Sequence, residues 1–163
     1  MMRYLGIAMV ALLLLACDPY IGRPNRAVGL SLASDGRIEI TRRLCSRDQE
    51  VAERVKEIRL LLHPGTVIGD PGDDVAWDLV ASSDSVQETF IGGQVTPGFV
   101  QVVAFEAGLS PDDDLGVLTE TNVSQAVVQF RLDQLRQGMV FSQGGLLTPE
   151  QFEQQASSVC AGG

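Results

Sequence analysis

Residues 28–44 read VGLSLASDGRIEITRRL, two runs in which apolar residues occupy alternate positions, separated by the turn sequence SDGR. A period of two is typical of strands that bury one face. Asp35-Gly36 between such runs is a strong hairpin signal. The stretch therefore predicts an antiparallel hairpin with strands at 28–32 and 37–44. Arg42 falls on the inward face near the end of the second strand, and we expect it at the margin of the sheet.

The same alternation recurs along the rest of the chain. It predicts strands at 75–81, 86–91, 99–105, 123–132 and 138–142, with loops rich in Gly, Pro, Asp and Ser between them. One of these loops is the acidic segment at 106–116. The run 99–105 is dense in β-branched residues, which predicts a central, buried strand. In 123–132, Gln129 and Arg131 share the polar face.

Residues 46–62 fit two periods. Val51, Val55, Ile58 and Leu62 recur at helical spacing, whereas Ile58, Leu60 and Leu62 alternate as in a strand. We favour a polar turn followed by a strand at 55–63, and a helix remains the alternative.

The end of the chain predicts a helix. Thr148 and Gln151 have the spacing of a capping box, and Pro149 stands at the first helical position. The residues that share one helical face after it are Phe152, Ala156, Val159 and Cys160. We expect this face to lie on the domain.

These elements predict a mainly β fold. Short strands with a turn about every ten residues are typical of an antiparallel sandwich or a partly open barrel. We expect about seven or eight short strands and a C-terminal helix in a single β-rich domain at 28–163.

The N-terminal segment predicts export. Arg3 precedes an apolar run from Leu5 to Ala16, which is too short to span a bilayer and has the order of a secretory signal. Leu14-Leu15-Ala16-Cys17 resembles the lipobox of bacterial lipoproteins. That resemblance implies a signal peptide at 1–16 cleaved before Cys17, lipid (palmitate among the acyl chains) on Cys17, and a tether at 17–27. The alternatives are an ordinary cleaved signal and an uncleaved anchor.

The order of motifs also resembles small lipoproteins of high-GC Gram-positive bacteria. The shared motifs are the lipobox, a strand–DG–strand opening that ends near a cysteine, a Trp-bearing strand, a PGF turn and a C-terminal helix near a second cysteine. Here they are Cys17, Asp35-Gly36, Cys45, Trp77, Pro97-Gly98-Phe99 and Cys160. The resemblance implies a compact extracytoplasmic β-domain held on the cell membrane, and it brings no activity with it.

Two cysteines remain if Cys17 carries lipid. Cys45 and Cys160 are an even pair in what would be an oxidising compartment. We predict that they form a disulfide, with two independent buried thiols as the alternative.

Charge is uneven along the chain. Residues 63–130 contain eleven acidic residues and no lysine or arginine, and the whole chain has a net charge of −9. Nucleic acid is therefore excluded as a partner, because phosphate contacts need lysine and arginine, and anionic polymers are poor partners for the same reason. A cationic partner or calcium is permitted. The weak calcium candidates are Asp70, Asp73, Asp74, Asp112, Asp113 and Asp114, whose spacing is not that of an EF-hand. Solvated loops are the alternative.

No catalytic motif stands out. His63 is the only histidine, and neither a G-x-S-x-G elbow nor a nucleotide-binding or zinc-protease motif occurs. We predict no catalytic residue and no cofactor. The sequence favours a membrane-anchored binding or structural module of the cell envelope, with another envelope protein as its possible partner. The alternatives are a hydrolase with an atypical site and a carrier of lipid or a small ligand.

Overall fold

The computed structural model describes residues 27–45, 52–64, 74–105, 108–143 and 145–161. The predicted signal peptide at 1–16, Cys17 and the tether up to residue 26 lie outside the described residues, as do Asp70 and Asp73. Their predicted roles therefore stay predictions.

Among the described residues, ten strands form two five-stranded antiparallel sheets. The strands are β1 (Val28–Leu32), β2 (Ile38–Arg42), β3 (Val55–Leu62), β4 (Asp74–Ser85), β5 (Thr89–Ile91), β6 (Phe99–Val103), β7 (Asp114–Thr121), β8 (Gln125–Arg131), β9 (Val140–Ser142) and β10 (Gly145–Leu147). A short 3-10 helix (Leu132–Gln134) follows β8, and helix α1 (Pro149–Ala161) ends the described chain. The first sheet has the order β10-β9-β1-β2-β5, and the second has the order β6-β4-β3-β7-β8. This arrangement confirms the predicted sandwich with a C-terminal helix.

The opening hairpin forms as its sequence predicts. β1 and β2 pair in a continuous antiparallel register from Val28 opposite Arg42 to Leu32 opposite Ile38. Gly36 has a φ of +82° in the turn, a conformation that glycine adopts without steric cost. The segment at 55–62 is a strand, so the strand interpretation of 46–62 is confirmed for this part, and the helical one is not.

The inner faces of the two sheets enclose an apolar core. Trp77 of β4 and Phe90 of β5 are fully buried, together with aliphatic side chains from most of the other strands. Phe90 packs edge-to-face on Phe99 of the opposite sheet, with ring centroids 5.1 Å apart. Because each large apolar side chain contributes about 1.5–3 kcal/mol when buried, this core is the main source of stability.

The prediction of a central, buried strand at 99–105 is wrong. Within the described sheet β6 pairs only with β4 and forms an edge. Val100 and Val102 are 54% and 61% exposed. β-Branched residues indicate a strand, but they do not indicate where in the sheet it lies. That position depends on which distant segments pair with each other. A register shift between Asp78 and Leu79 adds a bulge to this edge, a common protection against further pairing.

β7 was not anticipated, and its first residues correct the acidic loop expected at 106–116. Asp114 begins β7, which lies between β3 and β8. Asp and Gly are poor strand formers, so Asp114 and Gly116 suggested a loop. Leu115, Val117 and Leu118 are almost fully buried, and this burial outweighs the local preference. The three-residue strand β10 was missed because it is too short to show a period.

Helix α1 begins with the predicted capping box. The Thr148 N–H donates to Gln151 Oε1 at 2.9 Å, and the Gln151 N–H donates to Thr148 Oγ1 at 3.2 Å. Phe152 and Ala156 are buried against the first sheet. Gly29 allows this approach, because a Cβ there would lie 2.9 Å from the Phe152 ring.

The predicted disulfide is present. The Cys45 and Cys160 sulfur atoms are at bonding distance, 2.07 Å, and the two Cα atoms are 5.0 Å apart. The bond ties the end of α1 to the residues that follow β2. We call this end of the sandwich, where β1 starts and β2 ends, the basal end, and the opposite end the distal end.

Candidate functional site

Most of the described residues that the sequence singled out lie at the distal end of the second sheet. His63 directly follows β3, Asp74 begins β4, and Asp114 begins β7. Leu62 pairs with both Asp74 and Leu115, so these three points of the chain are neighbours. Antiparallel pairing therefore collects residues that are up to 51 positions apart in sequence.

A groove of about 540 Å³ lies at this end. We call it the distal groove, and its lining residues are Pro64, Asp114, Leu115, Gln129, Phe130, Arg131 and Gln134. Its volume is within the range of small-molecule sites, about 300–1,000 Å³. The groove crosses the start of β7 and the end of β8, where Asp114 is paired with Arg131 and Leu115 with Phe130.

One wall of the groove is formed by Pro64, which is positioned by the turn that follows β3. His63 has a φ of +45°, an uncommon conformation for a residue with a side chain. Its N–H donates to the carbonyl oxygen of Asp114 at 2.8 Å, which holds the turn on β7. Pro64 then lies on Gly116, where an added Cβ would be only 3.2 Å from Pro64 Cγ. The absence of a side chain at Gly116 thus allows the Pro64 ring to pack on the sheet.

The opposite wall is built by Arg131 and the 3-10 helix that follows it. The Arg131 N–H donates to Gln134 Oε1 at 2.8 Å. The Arg131 guanidinium donates from Nε and Nη2 to the two carboxylate oxygens of Asp133, both at 3.1 Å. This two-point contact fixes the guanidinium and offsets its charge.

The carboxylate of Asp114 is the unpaired charge of the groove. Asp114 is exposed, and its side chain makes no hydrogen bond or ion pair among the described residues. Because Arg131 is matched by Asp133, the walls carry a net negative charge. The amide side chains of Gln129 and Gln134 add hydrogen-bonding groups beside it.

The neighbouring acidic loop has a structural explanation of its own. Asp113 Oδ2 accepts the Ser110 N–H at 2.7 Å, and the Asp113 N–H donates to the Ser110 carbonyl oxygen at 3.1 Å. This reciprocal pair closes a turn. Asp74 and Asp112 are exposed. Within the described ranges, no three His, Cys, Asp or Glu side chains come together as metal ligands.

The basal end contains a buried ion pair. Arg42 and Glu53 have side chains only 2% and 3% exposed, and Arg42 Nη2 donates to Glu53 Oε1 at 2.9 Å. The Cys45 N–H donates to Glu53 Oε2 at 2.7 Å, and the Thr121 hydroxyl donates to Oε1 at 2.9 Å. Burial alone would raise the pKa of Glu53, but the Cys45 N–H, the Arg42 guanidinium and the Thr121 hydroxyl together lower it. Because both side chains are buried, we assign this pair to the stability of the fold.

A second charged cluster lies on β3 and β4 and consists of Glu57, Arg59 and Asp78. Asp78 is 6% exposed, and its Oδ2 lies 3.6 Å from Arg59 Nε. Among the described residues, its Oδ1 has no hydrogen-bond partner. Burial, helped by the neighbouring Glu57 carboxylate, raises the pKa of Asp78 against the opposing effect of Arg59.

The groove itself was not predicted from the sequence, although several residues in or beside it were singled out there. Sequence reasoning placed Gln129 and Arg131 on one polar face of a strand, and it singled out His63 and Asp114. It missed Pro64, Gly116 and Gln134, because their roles depend on contacts between strands. The only local signal was the HPG sequence at 63–65, which is typical of a turn.

Comparison of the chain with protein-family models, with curated proteins and with solved structures found no match. Among the described residues, no helix has the length and apolar character needed to cross a membrane.

Proposed function

We propose that this chain is an extracytoplasmic lipoprotein, anchored through lipid on Cys17, whose sandwich is a binding module of the cell envelope. The observation that carries the binding role is that the distal groove lies at the opposite end of the domain from the start of β1. A tether of ten residues at 18–27 spans at most about 33–36 Å. An anchor at Cys17 would therefore hold the basal end near the membrane and leave the groove accessible.

The disulfide is consistent with this location. Cys45 and Cys160 are joined across 115 positions of sequence, and such bonds persist in oxidising compartments rather than in the bacterial cytoplasm. The apolar run that ends in Leu-Leu-Ala-Cys17 supplies the export signal and the candidate lipid attachment site.

A binding groove is better supported than a lipid cavity between the sheets. Trp77, Phe90 and Phe99 fill the space between the two inner faces together with aliphatic side chains. A carrier of the sandwich type would need that space for its cargo.

The anchor is tested by changing Cys17→Ala in the full chain and fractionating the cells. We expect the variant to leave the membrane fraction or to accumulate as unprocessed precursor. The matched control is Cys160→Ala, which removes a cysteine but not the attachment site and should remain on the membrane. A processed Cys17→Ala product that is still membrane-bound would contradict the lipid anchor.

The binding role is tested by placing a photo-crosslinking amino acid at Gln129, an exposed position in the groove. The control position is Val86, which is 64% exposed after the basal end of β4. We expect a discrete adduct from position 129 and none from position 86 in producing cells. The same adducts from both positions, or none from position 129, would contradict a binding role for the groove.

A further inference from the structure

The distal groove has the features of a site for a cation. Among the described residues, Asp114 supplies a carboxylate for which no hydrogen bond or ion pair occurs, and Arg131, the only cation among the described lining residues, is held by Asp133 at two points. Residues 63–130, which include β4, β6 and β7, contain no lysine or arginine. An anion entering the groove would therefore meet net repulsion, and a cation would meet attraction.

The hydrogen-bonding groups of the groove favour an organic cation over a bare metal ion. Besides Asp114, the lining offers the amide groups of Gln129 and Gln134, and Gln134 Oε1 is already used by the Arg131 N–H. A hard metal ion takes six or more oxygen ligands, whereas the described part of the lining contains one carboxylate, that of Asp114. A primary ammonium has three N–H donors, which one carboxylate and one or two amide oxygens satisfy.

The size of the groove limits the rest of the ligand. Leu115 and Phe130 are 1% and 4% exposed, so they form a closed floor and offer little apolar surface. A volume of about 540 Å³ suits a small polar molecule or one side chain with its neighbours.

We propose that the distal groove binds a primary ammonium group through Asp114, with Gln129 and Gln134 as further hydrogen-bonding partners. This inference rests on the proposed binding role of the groove but not on the lipid anchor. The ammonium can belong to a free amine or to a lysine side chain of a partner protein, and these two sources are separated by the choice of probe.

The test uses the full-length chain, isotope-labelled and purified in a non-ionic detergent micelle, and follows backbone amide signals by NMR. The probes are cadaverine and 1,5-pentanediol, which differ in charge but have similar length. We expect cadaverine to cause saturable shifts at Asp114, Gln129, Arg131 and Gln134, and pentanediol to cause none. Equal shifts with both probes, or shifts that do not saturate, would overturn the proposal.

Two variants distinguish direct binding by the Asp114 carboxylate from long-range attraction by the acidic loop. Asp114→Asn removes the charge without changing the shape, and Asp112→Asn removes the same charge from an exposed residue outside the lining. We expect Asp114→Asn to weaken the binding of cadaverine about fivefold. Asp112→Asn should change the affinity for cadaverine by less than about twofold. An equal loss in both variants would show only long-range attraction and would overturn the site.

The source of the ammonium is read from a second probe, lysine blocked at both backbone ends. Tighter binding of blocked lysine than of cadaverine assigns the groove to a protein side chain, and the reverse assigns it to a free amine. If neither probe binds but the crosslink at position 129 forms, the ligand class is wrong and the binding role stands. If both experiments fail, the binding role fails as well.

Discussion

Arg42 and Glu53 are two opposite charges that the fold removes almost completely from water. The sequence predicted Arg42 at the margin of its sheet, and Arg42 is the last residue of β2. Its burial was not predicted, because Glu53 stands in the segment whose structure the sequence left ambiguous. The pair shows that a charge on an inward face requires a partner from elsewhere in the chain.

Removing one member of this pair should destabilise the domain strongly. In Glu53→Gln the buried Arg42 guanidinium loses the carboxylate that lies 2.9 Å from it, and breaking such a buried pair costs about 3–5 kcal/mol. We expect the free energy of unfolding in urea to fall by that amount. Asp84→Asn is the control, because the Asp84 side chain is 76% exposed and forms an ion pair with Lys56 at 3.4 Å on the surface. A loss below about 1 kcal/mol in Glu53→Gln would mean that water reaches the site.

Helix α1 is held at its two ends by different means. The capping box of Thr148 and Gln151 fixes the N-terminal end, and the disulfide at Cys160 fixes the C-terminal end. Between the two ends, Phe152 is buried, and the Glu153 carboxylate accepts hydrogen bonds from the Arg43 guanidinium. The two ends should therefore respond differently when the disulfide is removed.

The double variant Cys45→Ala/Cys160→Ala tests this difference. Loss of a bond that closes so long a loop should lower the free energy of unfolding by about 4–5 kcal/mol in the chain-entropy model. Hydrogen exchange should rise most at Ser157 to Cys160 and least near Phe152, because the capping box and the buried ring remain. A uniform rise along the helix would show that the disulfide holds the whole element and not its end.

At the level of elements, the sequence predicted what depends on local periodicity. β1, β2 and α1 were predicted because their apolar spacing and their turn or cap residues agree. β6 was placed wrongly, and β7 was missed, because edge position and burial follow from pairing between distant segments. The groove was predictable only in part for the same reason: Gln129 and Arg131 share a face in sequence, whereas the contact of Pro64 with Gly116 exists only in the folded sheet.

The stability of the whole molecule should depend on pH through two carboxyl groups whose pKa values shift in opposite directions. The pKa of Glu53 is lowered from its ordinary value of 4.5, so its contribution is present above pH 4.5 and is lost as the pH falls through the lowered value. The pKa of Asp78 is raised from its ordinary value of 3.8. Its contribution is therefore complete below pH 3.8 and is lost as the pH rises through the raised value.

Asp78→Asn should remove the second of these effects. The amide is neutral at every pH, so the variant avoids the cost of burying a carboxylate. We expect its free energy of unfolding to exceed that of the wild type near pH 7, with a difference that shrinks toward pH 3.8. Urea unfolding at half-unit steps of pH measures the difference. Glu53→Gln should differ from the wild type in the opposite direction. Its free energy of unfolding should be lower than that of the wild type, and this difference should shrink only as the pH falls below 4.5. If Asp78→Asn is less stable than the wild type at pH 7, the pairing of Asp78 with Arg59 outweighs the cost of burying its charge, and the cluster contributes to the stability of the fold instead of opposing it.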